Sequence, residues 1–180
     1  HGGLDDPAFR AMNPHGKVPV IDDDGVIVWD SHTILRYLGA KYGGPDFWSP
    51  DAAVRSEAER WMDWSATTLQ PDFLKGIFWG WYRTPEDQRD QPAVDAKIAA
   101  CAEHMQHLDR LLATRPWIGG DAFGLGDIPA GLNMFRYFGI GVDRPDIPHV
   151  EDWYNRLTER PAYREHVMLP FDHLKGRLAY

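Results

Sequence analysis

The period of apolar positions along this chain changes near residues 43 to 51. Before that point the apolar runs are short and β-branched. Val18, Val20 and Ile21 follow Asn13-Pro14-His15-Gly16, and Val26-Ile27-Val28-Trp29 follows Asp22-Asp23-Asp24-Gly25. Two such runs, split by an Asp-rich turn that ends in Gly, predict an antiparallel hairpin. Ile34, Leu35, Leu38 and Tyr42 then recur at helical spacing. Ser31 is placed to cap this helix at its start and Gly43 to close it as the C′ residue.

Beyond Gly43-Gly44-Pro45-Asp46 the pattern is helical to the end. Ser49-Pro50 predicts the N-cap and first-turn proline of a helix from about Asp51 to Leu69, with Pro71 kinking or interrupting it. Val94, Ile98, Cys101, Met105, Leu108 and Leu112 form one apolar stripe of a long helix. A further helix follows Gly124, with Ile128, Leu132 and Phe135 expected inward. Val150, Trp153, Tyr154 and Leu157 mark another, ended by Arg160-Pro161. The expected organisation is a hairpin-plus-helix piece at 1–43, a linker at 44–50 and an all-helical domain at 51–180.

Composition narrows the function classes. The 180 residues are 43% apolar and 26% charged, as in ordinary globular proteins. A net charge of −8 argues against a nucleic-acid partner, because phosphate binding needs a basic face. No window approaches the length of apolar run that spans a bilayer. The single cysteine cannot form an intramolecular disulfide, which fits a reducing compartment.

Order and spacing of several motifs then carry a resemblance. Asn13-Pro14-His15-Gly16-Lys17-Val18-Pro19-Val20, the hairpin, and Asp30-Ser31-His32-Thr33-Ile34-Leu35-Arg36-Tyr37-Leu38 together resemble the thioredoxin-like half of cytosolic glutathione S-transferases. Trp61-Met62-Asp63-Trp64, Arg83-Thr84-Pro85-Glu86, Phe123-Gly124-Leu125-Gly126-Asp127-Ile128 and Trp153-Tyr154…Arg160-Pro161-Ala162-Tyr163 resemble the helical half of bacterial members. The implied fold is α/β plus all-α: a thioredoxin-like N-terminal domain followed by an all-helical domain. The implied activity is conjugation of reduced glutathione to a small hydrophobic electrophile, as in detoxification. Glutathione would serve as co-substrate, without a metal, in a cytoplasmic homodimer. A glutathione-dependent thiol–disulfide reductase or peroxidase, and a non-catalytic glutathione-fold binding module, are the alternatives.

The resemblance assigns roles residue by residue. Pro19 would be the cis-proline that presents the backbone N–H and C=O of Val18 to the cysteinyl backbone of glutathione. Asp30, where Glu is more usual, would face the γ-glutamyl ammonium, and Ser31 its carboxylate. Lys17 would meet the glycyl carboxylate, and His15 lies close enough to line the same pocket. Phe73, Phe78, Trp79 and Tyr82 follow Pro71 where the family builds the wall of its electrophile pocket. Core packing is the competing role for each of these rings. Met168, Leu169, Phe171 and Leu174 in the tail would fold over the same opening.

The family's activating Ser, Tyr or Cys belongs to a βαβ unit of roughly 30 or more residues, which the 17 residues before Val18 cannot hold. The expectation is that this first unit is absent from the sequence given and that its activating residue is unknown. Cys101, His104 and His107 invite a metal reading. Six residues on a helix, however, place Cys101 and His107 about 120° out of line, so no metal site is expected. Asp127 reads as the acid of a capping box whose usual Ser or Thr is replaced by Gly124, a structural role.

Overall fold

The computed structural model describes residues Gly3–Leu178. They fall into two compact units, His1–Ser56 and Glu57–Tyr180. The first begins with a helix that has no apolar period to announce it, α1 (Pro7–Met12). Its signals are the cap and first-turn proline: Asp6 Oδ1 accepts from the Ala8 N–H at 2.7 Å. The predicted hairpin comes next as β1 (Val20–Asp23) and β2 (Val26–Trp29), antiparallel, with Val20 opposite Trp29 and Asp23 opposite Val26. Its two-residue turn, Asp24-Gly25, has φ of 53° and 85°, the twist that matches right-handed strands. Asp22 Oδ1 accepts from the Gly25 N–H and closes the turn at 2.8 Å.

Helix α2 (Ser31–Tyr42) packs Ile34 and Gly39 inward beside Val28 of β2. Its end corrects one expectation. Gly43 keeps helical dihedrals as the C-cap, and the left-handed residue is Gly44 at φ +70°. The stretch expected to be a linker carries a short helix, α3 (Gly44–Phe47), within the first unit. The next helix, α4 (Ala52–Trp64), also starts later than Ser49 implied. Asp51 performs the capping: its side chain accepts from Ala53 N at 2.8 Å and its carbonyl from Arg55 N. Ser49 Oγ instead accepts from the Asp51 N–H.

Pro71 does not interrupt the helical path. After α4 the chain runs on as a wide helix, Ser65–Arg83, with π-type hydrogen bonds such as Thr84 N–H to the Trp79 carbonyl. A proline ring strikes the carbonyl four residues back in an α-helix and has no N–H to donate. Widening the turn moves that carbonyl away, which removes the reason to break.

The wide helix packs on α5 (Gln91–Leu112) and α6 (Asp127–Gly139), and α5 also packs on α7 (Pro148–Thr158). The α5 stripe is as predicted: Val94, Cys101, Met105, Leu108 and Leu112 are buried, and Ile98 partly so. The phase of α6 is not. Ala130, Met134 and Tyr137 face the core, whereas Leu132 is 48% exposed and Ile128 and Phe135 are half-buried. Gly131 explains the difference. A Cβ there would meet Leu157 Cδ1 of α7 at 3.0 Å, so the helices approach on the small-residue face and not on the bulkiest one. A short helix, α8 (Pro161–His166), follows, with one 3-10 turn at Asp172–Leu174 beyond it.

Two carboxylates fix these helices. Asp127 is fully buried at the first position of α6. It accepts from Gly124 N, Ile118 N and Trp153 Nε1, each at 2.9 Å. Burial pushes its pKa up, and these donors pull it back down. The capping role holds, with a wider reach than the local motif implied. Asp109 of α5 accepts from His149 N and Val150 N, capping α7 from 40 residues away.

Candidate functional site

In the first unit a cavity of about 270 Å³ is lined by Asn13, His15, Lys17, Val18, Pro19, Trp29, Asp30 and Ser31. The loop from Asn13 to Lys17 is held by one buried side chain. Asn13 Nδ2 donates to the Lys17 carbonyl at 2.7 Å, and Asn13 Oδ1 accepts from the His15 N–H at 3.1 Å. That clamp delivers the chain into a cis Val18–Pro19 bond. The N–H and C=O of Val18 make no hydrogen bond to the described residues, and the residue is 69% exposed. An extended ligand backbone can pair with both groups.

Opposite lies the start of α2, where the sequence expectation needs a correction. The N-cap is Asp30, not Ser31. Asp30 Oδ1 accepts from His32 N, Thr33 N and Thr33 Oγ1 at 3.0 to 3.2 Å. The Thr33 N–H does most to hold the Asp30 carboxyl below its usual pKa, against a partial desolvation. Asp30 does this at φ +75°, a left-handed conformation that costs a non-glycine residue about 1–3 kcal/mol. The sequence leaves two adjacent residues that both cap well, and only the backbone decides between them. As the first helical residue, Ser31 has an N–H and a hydroxyl that make no bond to the described residues. The pair thus divides the work: Asp30 satisfies the next two N–H groups, and Ser31 offers open donors at the positive end of the helix.

Lys17 is exposed at the rim and makes no ion pair with the described residues. His15 meets Trp29 edge-on, with ring centroids 5.4 Å apart. All five residues assigned to glutathione therefore share one cavity. Asn13 and Trp29 were not anticipated. Asn before Pro is a turn signal that would have found the first, whereas Trp29 reads only as the last residue of a strand.

The aromatic wall resolves differently. Phe73, Phe78 and Tyr82 are 0%, 3% and 4% exposed, in the core of the helical unit. Phe73 meets Tyr137 edge-on at 5.6 Å. Phe78 and Tyr82, four residues apart on the wide helix, stack at 5.6 Å, and both meet the edge of Phe171. The tail is drawn in with them, as Gly176 N–H donates to the Tyr82 carbonyl and Arg83 Nε to that of Arg177. For these three rings the geometry favours the packing alternative, since a ring enclosed by other side chains has no face left for a substrate. Trp79 differs: it is half-buried and carries the Arg83 guanidinium 3.8 Å above its ring. The residues that suggested a metal are also separated in role. Burial pushes the Cys101 thiol up to about 12, and His104 Nε2 lies 2.8 Å from Asp72 Oδ2.

A cis-proline before a hairpin strand, a capped helix start facing it and a separate helical unit are the features that the resemblance called for. The comparisons make the assignment specific. The family model "Glutathione S-transferase, N-terminal domain" matches residues 1–46, and "Glutathione S-transferase, C-terminal domain" matches 70–161. The Escherichia coli (strain K12) glutathione S-transferase GstB is 44% identical over 167 residues, 92% of this chain and 80% of GstB. A theta class glutathione S-transferase from Xanthomonas axonopodis pv. citri, solved with glutathione bound, superposes with a TM-score of 0.86. It is 40% identical and covers 94% of this chain and 81% of its own. The chain belongs to the glutathione S-transferase family. A probable elongation factor 1-gamma 2 of Arabidopsis thaliana is 26% identical over 88% of this chain, which covers 38% of that protein.

Proposed function

We propose that the chain binds reduced glutathione in the Val18–Ser31 cavity and acts as a transferase, joining the glutathione sulfur to a small apolar electrophile. The observation that carries this reading is the convergence of complementary open groups on one cavity. The Val18 N–H and C=O suit the cysteinyl backbone of an extended tripeptide. The Ser31 N–H and hydroxyl suit its γ-glutamyl carboxylate. All three bonds to Asp30 fall on Oδ1, so Oδ2 is left for the ligand's ammonium, and Lys17 suits the glycyl carboxylate.

The protein's part in the chemistry is positioning: it holds a thiolate beside the electrophile and out of bulk water. We assign the thiol-activating role to none of the serines or tyrosines among residues 1–180. Of the four aromatics first considered for the electrophile wall, Trp79 keeps that role in this proposal. A two-fold dimer in the cytoplasm accompanies the reading, and sedimentation at monomer mass would contradict the dimer.

The likeness to a protein named as an elongation factor and not as a transferase supports a second reading, in which the same cavity would bind glutathione without turnover. Calorimetric titration with glutathione tests what the two readings share, and absence of saturable binding sinks both. Conjugation of a chlorodinitrobenzene separates them. Thioether formation above the uncatalysed rate supports the transferase, and binding without it supports the module.

A further inference from the structure

The helical unit holds a second cavity, of about 310 Å³, between α6, the end of α7 and α8. Its walls are apolar: Phe123 from the loop before α6, Ile128 and Leu132 one turn apart on α6, Leu157 on α7 and Val167 after α8. These α6 positions are the ones the sequence marks as an inward face and the core does not use. Leu132 is 48% exposed although Met134, two residues on, is fully buried. The apolar stripe has a destination in the cavity.

One cation stands in this lining. Arg160 caps the start of α8, half-buried, with its guanidinium 3.6 Å over the Phe123 ring. Among the described residues it makes no side-chain hydrogen bond and no ion-pair contact, though its charge helps to hold down the pKa of Asp127 in the same lining. The carboxylate in the same lining, Asp127, is already committed to three donors of the fold. At the rim, His166 lies 3.9 Å from Glu165, both well exposed. A stacked guanidinium held in an apolar wall, its donors unspent, matches an anion carried on an apolar body.

We propose that this cavity is a binding site for a small apolar carboxylate, its body against Ile128, Leu132 and Val167 and its anionic head on Arg160. The volume suits a single small ligand of this kind. The site is built wholly within the helical unit and is independent of the glutathione reading.

Calorimetric titration of the intact protein with decanoate, and with decanol as the uncharged counterpart, tests the assignment. Saturable decanoate binding is expected, with decanol weaker by about tenfold or more, the usual worth of a charge-assisted hydrogen bond. Arg160→Gln should remove that discrimination, and Arg160→Lys should restore part of it. Leu132→Gln, at an exposed position where folding is little disturbed, should weaken decanoate and decanol alike. Glutathione affinity should be unchanged in all three variants. Equal affinity for acid and alcohol, unaltered binding in Leu132→Gln, or no saturable binding of decanoate to the parent protein would each overturn the proposal.

Discussion

The Val18–Ser31 cavity and the aromatic cluster of the helical unit are both ligand sites by the sequence expectation, and they differ in what holds them. The cavity is built by backbone: an open N–H and C=O at Val18, an open N–H at Ser31, and an Asn13 clamp that fixes the loop between them. Its residues are mostly exposed, with Asn13 the buried one. The cluster is built by side chains that enclose one another, with Phe73, Phe78 and Tyr82 at 0% to 4% exposure. A spacing motif reports on the first kind of site, because backbone geometry needs particular residues at particular intervals. It reports poorly on the second, because a large ring serves a core and a pocket equally well.

That contrast breaks most visibly in stability. Phe73→Ala removes a fully buried ring from between the wide helix and α6 and should cost about 3–5 kcal/mol in chemical denaturation. Glutathione affinity should not change. A variant of wild-type stability that has lost electrophile affinity would return Phe73 to a pocket.

Ser31→Ala should do the reverse. Its hydroxyl makes no bond to the described residues, so the melting temperature should hold. Glutathione binding should weaken by about 1–3 kcal/mol, the cost of leaving a charged acceptor short of a donor. Unchanged affinity in calorimetry would remove Ser31 from the site. Asp30→Ala is predicted to behave unlike its neighbour, losing helix capping and ligand affinity together, because the structure gives it the cap. The capping part should be near 1 kcal/mol.

The same division explains how much was legible. The hairpin could be read because Asp24-Gly25 supplies the two positive φ values its turn requires, between runs of β-branched residues. The α5 stripe could be read because its buried positions are also its large apolar ones. Helix α6 could not, since Gly131 makes the close approach, with Ala130 buried beside it, while Ile128 and Leu132 carry the hydrophobicity. The exchange of roles between Asp30 and Ser31 was hidden for a related reason: a cap is decided by backbone dihedrals that two good capping residues leave open. Asn13 and Trp29 enter the cavity through a loop and a strand end, where no period applies.

Trp79 lies between the two regimes. It is half-buried and stacked beneath Arg83, so neither role is foreclosed by enclosure. In the transferase reading, Trp79→Ala should raise the KM for an aryl electrophile several-fold while the KM for glutathione holds. A lowered melting temperature with both constants intact would assign the ring to packing.

The smallest effect should come from the exposed cluster that ties the hairpin to α2. Asp23 at the end of β1 accepts from Lys41 Nζ, Tyr42 Oη and Tyr37 Oη, each at 2.7 Å. The Lys41 bond leads in lowering the Asp23 pKa to about 2, helped by the two tyrosines, and the same contact raises that of Lys41. A carboxyl held lower in the folded chain than in the unfolded one stabilises the fold above the unfolded pKa, and that stabilisation is lost as pH falls through the folded one. The window is therefore about pH 4 down to 2. The raised lysine works with the opposite sign, its stabilisation being complete below its unfolded pKa and lost in strong alkali. Both shifts describe one contact, and at an exposed site it is screened by salt. Asp23→Asn should flatten the acid limb of stability between pH 4 and 2 and leave glutathione affinity untouched. High salt should do the same to the parent protein. An acid limb identical in parent and variant would show that this cluster contributes nothing to holding the hairpin on α2.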